Sequence, residues 1–344
     1  MKEKTLKEQA LKEKTLTEET LTEEKRDERR EPELSDDLTQ ALEALRQGIR
    51  ARFPGHGGEP APAAIDWDAI YALLRRRVGT FGMSERSGEV DEFGMDDVVL
   101  RRARPVLDFL YDQYWRVSLA GAENLPPCGP CLLVANHSGL LPYDGLMLAH
   151  GIERSHPNHE RPRFLAADWL ITLPFVQSYL ARLGGVRACR ENAERLLESK
   201  RFVVAFPEGV KGAAKVFRER YRLKRLGRGG VLRVALETGA PLVPVGIVGA
   251  EEAHPILFKW TTPARAVGLP FLPVTPTFPW LGPLGLLPLP TKWVIRIGEP
   301  LALGHLAPDS AADELLISRL TEDLRVQIQG LVDVGLAERE SIWG

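Results

Sequence analysis

The chain has 344 residues, a formal net charge of -2, 44% hydrophobic residues and 27% charged residues. This composition is that of a globular protein large enough to be an enzyme, and it argues against whole-chain disorder, a collagen-like repeat or a polytopic membrane protein. Residues 1–37 hold nine Lys or Arg against thirteen Asp or Glu, which leaves a net charge of +2 for residues 38–344 and argues against nucleic-acid binding. Three cysteines and no apolar N-terminal stretch predict a cytoplasmic protein without a disulfide framework.

The first third of the chain differs in composition from the rest. Residues 1–37 are rich in Lys, Glu, Thr and Leu, bury little, and are predicted to be a charged, disordered tail. Residues 38–115 are predicted to be a helical N-terminal region, with a Gly- and Pro-rich linker at 53–62 and helices near 65–77 and 98–115.

From residue 116 to 344, short apolar runs alternate with amphipathic stretches. This alternation predicts an α/β domain with a central, largely parallel sheet flanked by helices, preceded by the N-terminal helices. The predicted strands are 117–120, 131–136, 163–166, 202–206, 242–248 and 292–297. The predicted helices lie near 144–150, 168–182, 190–199, 228–239 and 311–334.

One apolar stretch, residues 266–291, does not fit this alternation. It contains no charged residue but seven prolines, whose missing N–H donors are incompatible with a membrane-spanning helix. We expect an apolar loop that is either buried in the domain or placed in the bilayer interface, where Trp280 would be favoured. The apolar helix 168–182 is a second candidate membrane surface, or a core helix.

Two motifs could suggest other chemistry. Cys128 and Cys131 have the spacing of a redox pair, but prolines precede them and an apolar run follows, which favours a turn entering a buried strand. His156 and His159 lack the further ligands that would complete a zinc site, so no metal is predicted.

A histidine stands where a strand is predicted to end. His137 follows the strand at 131–136, and Asp144 follows six intervening residues later. A carboxylate beside an imidazole can hold it as a general base, although a local turn hydrogen bond would explain the pair equally well. A serine hydrolase is disfavoured, because the chain has no G-x-S-x-G motif and Ser138 is badly placed for activation by its neighbour.

A second strand end carries Phe206-Pro207-Glu208-Gly209, which opens a strongly basic stretch. Residues 201–233 contain ten Lys or Arg against two Glu. Cations beside a glycine-containing turn can hold an anion, so this stretch is either a phosphate-binding surface or an ordinary solvated one.

Four blocks of this chain resemble those of the glycerolipid acyltransferases, which include 1-acylglycerol-3-phosphate acyltransferase. They stand in the family's order and approximate spacing, and the resemblance covers about residues 117–300. The blocks are Asn136-His137 with Asp144, Gly184-Gly185-Val186-Arg187-Ala188-Cys189-Arg190, Phe206-Pro207-Glu208-Gly209 and Ala240-Pro241-Leu242-Val243-Pro244-Val245.

The resemblance implies transfer of a fatty acyl group from acyl-CoA or acyl carrier protein to a hydroxyl of a lipid acceptor such as lysophosphatidic acid. It implies no cofactor, and a protein that meets its lipid peripherally at the membrane surface. His137 would be the general base and Asp144 its orienting partner. The residues implied in substrate binding are Arg187, Arg190, Glu208, Gly209 and Lys211.

Two departures from the family pattern keep alternatives open. The first block usually has four residues between His and Asp, whereas six separate His137 from Asp144, so the turn must bulge. After Gly209 the family often has Thr or Ser and then Arg, whereas Val210 and Lys211 follow here, and lysine lacks the bidentate fork of arginine. The alternatives are acylation of a neutral lipid alcohol, or a catalytically silent lipid-binding protein of the same fold.

Overall fold

The computed structural model describes residues 90–139, 141–171, 176–262, 264 and 270–343. The predictions for the tail at 1–37, the linker at 53–62 and the helix near 65–77 lie outside these residues. Within them, no helix has the length and apolar composition needed to cross a bilayer.

A seven-stranded sheet forms the centre of the domain. Its strand order is β1-β9-β6-β2-β5-β3-β4, and every neighbouring pair is parallel except β6 with β9. A separate antiparallel pair, β7–β8, completes the described strands. The prediction of a largely parallel sheet is therefore confirmed. The strands are β1 (Ser118–Ala120), β2 (Cys131–Ala135), β3 (Arg163–Ala166), β4 (Gly185–Arg187), β5 (Phe202–Ala205), β6 (Leu242–Val248), β7 (Phe258–Trp260), β8 (Leu272–Val274) and β9 (Val294–Ile297).

Helices cover both faces of the sheet. Among the described residues, the α-helices are α1 (Asp97–Asp108), α2 (Tyr143–Ser155), α3 (Asp168–Ile171), α4 (Val176–Arg182), α5 (Arg190–Glu198), α6 (Gly209–Ala213), α7 (Gly230–Thr238), α8 (Ala250–Ala253) and α9 (Glu314–Glu338). A π-helix, Phe109–Tyr114, continues α1. Shorter 3-10 turns are Ala122–Asn124, Phe217–Glu219, Gly282–Leu286 and Pro308–Ala312.

Each face of the sheet has its own hydrophobic core. Successive residues of β2 alternate between the two cores, with Leu133 on one face and Leu132 and Val134 on the other. Helix α2 packs on the first face, and helices α5, α7 and α9 pack on the second. All five β2 residues are buried, which explains why the central strands are continuous apolar runs rather than alternating ones.

Two tryptophans anchor the N-terminal edge of this domain to its last strand. Trp115 and Trp293 are buried and stack with ring centroids 4.6 Å apart. The indole of Trp115 donates to the carbonyl of Leu289 at 3.1 Å, so the polar atom of the ring is satisfied inside the core. This contact connects the end of the π-helix to the C-terminal end of the Pro-rich segment.

Some elements differ from the sequence predictions. The predicted helix 168–182 is two helices, α3 and α4, on either side of residues that are not described. Strand β4 was not predicted, because it is short and begins with Gly185, a residue of low strand propensity. The β7–β8 pair was also missed, since its second strand lies inside the stretch predicted to be loop.

The Pro-rich segment is neither wholly buried nor wholly exposed. Phe271 is 2% exposed and belongs to a small apolar cluster, so the start of the segment is core. Further along, four large apolar side chains project into solvent, and Trp280 is 76% exposed. We call these four residues the apolar tip: Trp280, Leu281, Leu284 and Leu287.

Candidate active site

The site lies beyond the carboxyl ends of four neighbouring strands of the sheet. A cavity of about 390 Å³ opens there, between residues that follow β2, β3, β4 and β5. This edge is where ligands bind in open parallel α/β sheets. His137 and Asp144 both line the cavity.

His137 and Asp144 form a direct pair. The Nδ1 atom of His137 lies 2.7 Å from Oδ2 of Asp144. The imidazole side chain is 19% exposed, whereas the Asp144 side chain is fully buried. With a proton on Nδ1 donated to the carboxylate, Nε2 is left with a free lone pair, which is the arrangement of a histidine general base.

The turn between strand and helix explains how a longer spacing still brings the pair together. Gly139 has a φ of +74°, a left-handed conformation that favours glycine, and Pro142 precedes the first residue of α2. Asp144 thereby lies in the first turn of α2, beside the imidazole. The six-residue spacing therefore does not keep the carboxylate away from His137.

Hydrogen bonds fix both ends of this turn. The amide of Asn136 exchanges two hydrogen bonds with the main chain of Ile247, at 2.9 and 2.7 Å, and so ties the end of β2 to β6. Asp144 accepts a further bond from the Ser138 N–H at 3.1 Å. The Ser138 hydroxyl is buried and has no hydrogen-bond partner among the described residues, so His137 does not activate it as a nucleophile.

Glu208 lies directly behind the histidine. Its carboxylate accepts the main-chain N–H of His137 at 2.9 Å and that of Lys224 at 2.6 Å. The side chain is fully buried and does not line the cavity. The structure thus brings Glu208 to the main chain of the candidate base.

The remaining predicted substrate-binding residues occupy different environments. Arg190 and Gly209 line the cavity, whereas Arg187 and Lys211 do not. Arg187 is exposed and paired with Asp168. Arg190 is also exposed, and its guanidinium is paired with Glu194 and Glu237. Lys211 is exposed at the surface of α6.

Most of the cavity wall is apolar, and many of its apolar residues belong to none of the sequence motifs. They come from β3, from α3 after it, and from α5 and α7 on the second face of the sheet. Their apolar character is indistinguishable from that of core residues in the sequence, so only the fold distinguishes them. Examples are Phe164, Ala166, Trp169, Leu170, Ala193 and Val234.

A cation at the mouth of the cavity was also not assigned to the site. Arg228 lines the cavity and is exposed, on the loop that precedes α7. Its two glycine neighbours, Gly227 and Gly229, have positive φ values of 61° and 77°, so the tight turn requires them. The sequence placed Arg228 only within the basic stretch 201–233.

The alternative chemistries find no support in the described residues. Cys131 is buried in β2, and burial raises the pKa of its thiol to about 12, while Cys128 is exposed and both are free. This is the predicted turn entering a strand. No group of three or more His, Cys, Asp or Glu side chains in the described part of the chain could hold a metal ion.

Comparison with known proteins assigns the chain to a family. The sequence profile of the acyltransferase family matches residues 116–248. An uncharacterized protein of Mycobacterium tuberculosis is 44% identical over 277 residues, which are 80% of this chain and 75% of that protein. The chain belongs to the acyltransferase family. The family resemblance drawn from the four sequence blocks is thereby confirmed, and the matched residues include His137, Asp144 and Glu208.

Two further proteins are similar to this acyltransferase-family chain over different lengths. Phytyl ester synthase 2, chloroplastic, of Arabidopsis thaliana is 31% identical over 136 residues, which are 38% of this chain and 19% of that protein. The crystal structure of the 1-acyl-sn-glycerophosphate acyltransferase PlsC from Thermotoga maritima aligns with a TM-score of 0.45 and 19% identity. That alignment covers 79% of this chain and 94% of that one.

Proposed function

We propose that this protein transfers a fatty acyl group from a thioester donor, acyl-CoA or acyl carrier protein, to a hydroxyl of a glycerolipid acceptor such as lysophosphatidic acid. The observation that carries the proposal is the His137–Asp144 pair, at 2.7 Å, in the wall of a largely apolar cavity. A catalytically silent lipid-binding protein would not need a histidine paired with a buried carboxylate in the cavity wall, so the pair favours an enzyme.

The proposed reaction needs no nucleophile from the protein. Nε2 of His137 removes the proton from the acceptor hydroxyl, and the hydroxyl oxygen attacks the thioester carbonyl carbon. The tetrahedral intermediate collapses with cleavage of the C–S bond, and the proton on Nε2 passes to the leaving thiolate. The buried Asp144 carboxylate holds the imidazole and stabilises its protonated form between these two steps.

The cavity wall suggests where the acyl chain would lie. Phe164, Trp169 and Leu170 line the cavity together with His137, so an acyl chain inserted beside them would have its carbonyl near the base. Burying such a chain contributes about 0.8 kcal/mol of binding free energy per CH₂ group, so an apolar cavity would bind the donor through its acyl chain.

A neutral lipid alcohol as acceptor is the second candidate. Arg190, the cation that the family resemblance implied in this cavity, is already paired with two carboxylates. The Arabidopsis relative is named as a synthase of phytyl esters, which is compatible with an acceptor that carries no phosphate. Arg228, exposed at the cavity mouth, supports the anionic acceptor instead.

Peripheral contact with a membrane is part of the same proposal. The segment that carries the apolar tip contacts the site: Nε2 of His254 donates a hydrogen bond to the Leu286 carbonyl at 2.8 Å, and the His254 ring stacks on Tyr143, the residue before Asp144. Exposed apolar side chains beside a site for lipids would let the protein reach an acceptor that remains in the bilayer.

The experiment that tests the reaction is an acyl-transfer assay with labelled acyl-CoA and acyl carrier protein as donors. Lysophosphatidic acid, monoacylglycerol, diacylglycerol and a long-chain alcohol serve as acceptors. We expect His137→Ala to lower turnover by about 10²–10⁴-fold, the usual cost of losing a general base. His305→Ala, an exposed histidine away from the cavity, is the matched control and should behave like the parent.

Two outcomes would reject this assignment. One is His137→Ala retaining more than about a tenth of parental turnover with an unchanged melting curve, because loss of a general base costs more than that. The other is parental protein that binds the donor but transfers acyl groups to none of the four acceptors. The acceptor that gives the highest kcat/KM decides between the anionic and the neutral lipid.

A further inference from the structure

A lysine is buried between two carboxylates behind the proposed catalytic turn. Lys215 is 6% exposed, and its ammonium lies 2.7 Å from Glu251 and 3.4 Å from Glu208. All three side chains are almost fully buried. Lys and Glu are rarely buried unless paired, so this cluster needs an explanation beyond surface chemistry. Lys215 is therefore not one of the solvated cations of the basic stretch.

The carboxylates of this cluster are occupied by main-chain groups. Glu208 accepts the N–H groups of His137 and Lys224 on its two different oxygens. Glu251 accepts the N–H of Tyr221 at 2.9 Å on the oxygen that does not face Lys215. The cluster thus joins three chain segments: the turn after β2, the segment around 221–224, and the start of α8.

Glycine at position 212 permits close packing beside Glu208 and His137. A Cβ at Gly212 would lie 2.5 Å from the Cβ of Glu208 and 3.2 Å from that of His137, so α6 approaches both residues at a distance that only glycine permits. Glu208 is held against the main chain of His137 by its hydrogen bond to the His137 N–H. Its carboxylate touches the base's own backbone, not the space where a substrate would lie.

We propose that Lys215 is a positioning residue for the acyl transfer proposed above, acting through Glu208 on the main chain of His137. Its ammonium holds Glu208 and Glu251 together as ionised partners, and Glu208 in turn fixes the N–H of His137. Glu208 then acts from behind the base as a second positioning residue. The expected loss of kcat rests on the proposed function, whereas the contacts from Lys215 through Glu208 to the His137 N–H do not.

The buried cluster carries more negative than positive charge. With Lys215 present, the cluster holds one positive and two negative charges in a nearly dry environment. Burial raises the pKa of Glu251, and the Lys215 ammonium opposes part of that rise. Without the ammonium, two buried carboxylates face each other, and leaving a buried charge unpaired is strongly unfavourable. Glu208 would then move away from Glu251, and its hold on His137 would weaken.

The test compares three variants of the full chain. In Lys215→Met, we expect kcat to fall by about 10²-fold, since displacement of a reacting group by about 1 Å can cost that much. The KM values for donor and acceptor should stay near those of the parent. In the double variant Lys215→Met/Glu251→Gln, the repulsion between two buried carboxylates is removed and Glu208 keeps its two N–H donors, so part of the lost kcat should return. Lys200→Met, an exposed lysine, is the matched control.

A second measurement separates this proposal from the proposed function. The proton on Nδ1 of His137, bonded to Asp144, should give a downfield ¹H NMR signal that is absent in His137→Ala. We expect Lys215→Met to broaden or shift that signal and the double variant to restore it. This readout needs no acyl transfer, so it decides the role of Lys215 even if the parent protein proves inactive.

Several results would overturn the inference. One is a raised KM for the acceptor at unchanged kcat in Lys215→Met, which would mean that the cluster contacts substrate. Another is a folded double variant whose kcat is no higher than that of Lys215→Met and whose His137 Nδ1 proton signal is not restored. If Lys215→Met does not fold, Lys215→Arg decides: a parental signal and kcat in this variant support positioning by charge, and loss of both in a folded protein rejects it.

Discussion

The turn after β2 and the Pro-rich segment, which contains β8, depart from the usual burial of side chains in opposite directions. At the turn, charged groups are buried: Asp144, and Glu208 which follows β5 and contacts the turn, have fully buried side chains. In the segment, large apolar groups are exposed: Trp280 is 76% and Leu287 is 61% exposed. Buried charges and exposed apolar clusters are both uncommon in a fold that serves only stability.

The difference between the two regions lies in how their side chains are held. Each carboxylate oxygen of Asp144 and Glu208 accepts at least one hydrogen bond within the protein, so these two side chains are held in place. The side chain of Trp280 is mostly surrounded by solvent. The turn therefore has the properties of a reaction site and the apolar tip those of a binding surface, and their separation can be tested by substitutions in each.

The largest effect in these tests is expected at Asp144. In Asp144→Asn the residue keeps its size but can no longer stabilise a protonated imidazole, so kcat should fall by about 10²–10⁴-fold with the KM values little changed. Steady-state kinetics and a thermal melt on the same preparation measure this. Asp309→Asn, an exposed aspartate, is the control. A folded Asp144→Asn protein with parental kcat would make the turn a structural feature only.

A smaller effect is expected in the apolar tip. Burying one large apolar side chain contributes about 1.5–3 kcal/mol, so Trp280→Ser should lower partitioning onto lipid vesicles by roughly 10- to 100-fold. Vesicle flotation measures this, with soluble donor and acceptor analogues used to check that kcat is retained. Parental flotation of Trp280→Ser would move the membrane contact elsewhere.

Phe271 provides the matched comparison within the same Pro-rich segment. It is 2% exposed, so Phe271→Ser should lower the melting temperature, whereas Trp280→Ser should leave it unchanged. If both substitutions destabilise the protein, the tip is covered in solution and is not a free surface.

The central part of the fold could be predicted from the sequence because its signal is local. Strands β2, β5 and β6 are buried on both faces, so each is a continuous apolar run of the right length. Strand β4 lacks that signal: its first residue is glycine, and a Cβ at Gly185 would lie 2.6 Å from the Leu180 side chain. Packing against α4 selects glycine there, and packing is not visible in a local pattern.

In the candidate site, too, only some residues could be predicted from the sequence. His137 and Asp144 could be found because they follow a strand and match a known block, but their contact depends on the left-handed conformation of Gly139. The pairing of Lys215 with Glu251 spans 36 positions of the chain and had no local signal. The sequence placed Lys215 among surface cations, which is wrong, because the fold buries it.

The smallest expected effect concerns the charge at the cavity mouth, and it tests how far the polar site extends toward the substrate. Arg190 lines the cavity but is exposed and shared with Glu194 and Glu237, and exposed ion pairs contribute only about 0.2–1 kcal/mol. Arg190→Ala should therefore raise the KM for an anionic acceptor by only about two- to fivefold. The KM for a neutral acceptor should not change.

Lys211→Ala, outside the cavity lining, should have a smaller effect still, and Arg319→Ala on the exposed face of α9 should have none. Equal increases for both acceptors in Arg190→Ala would mean that the guanidinium serves the local structure or the donor, and the anionic acceptor would then depend on Arg228.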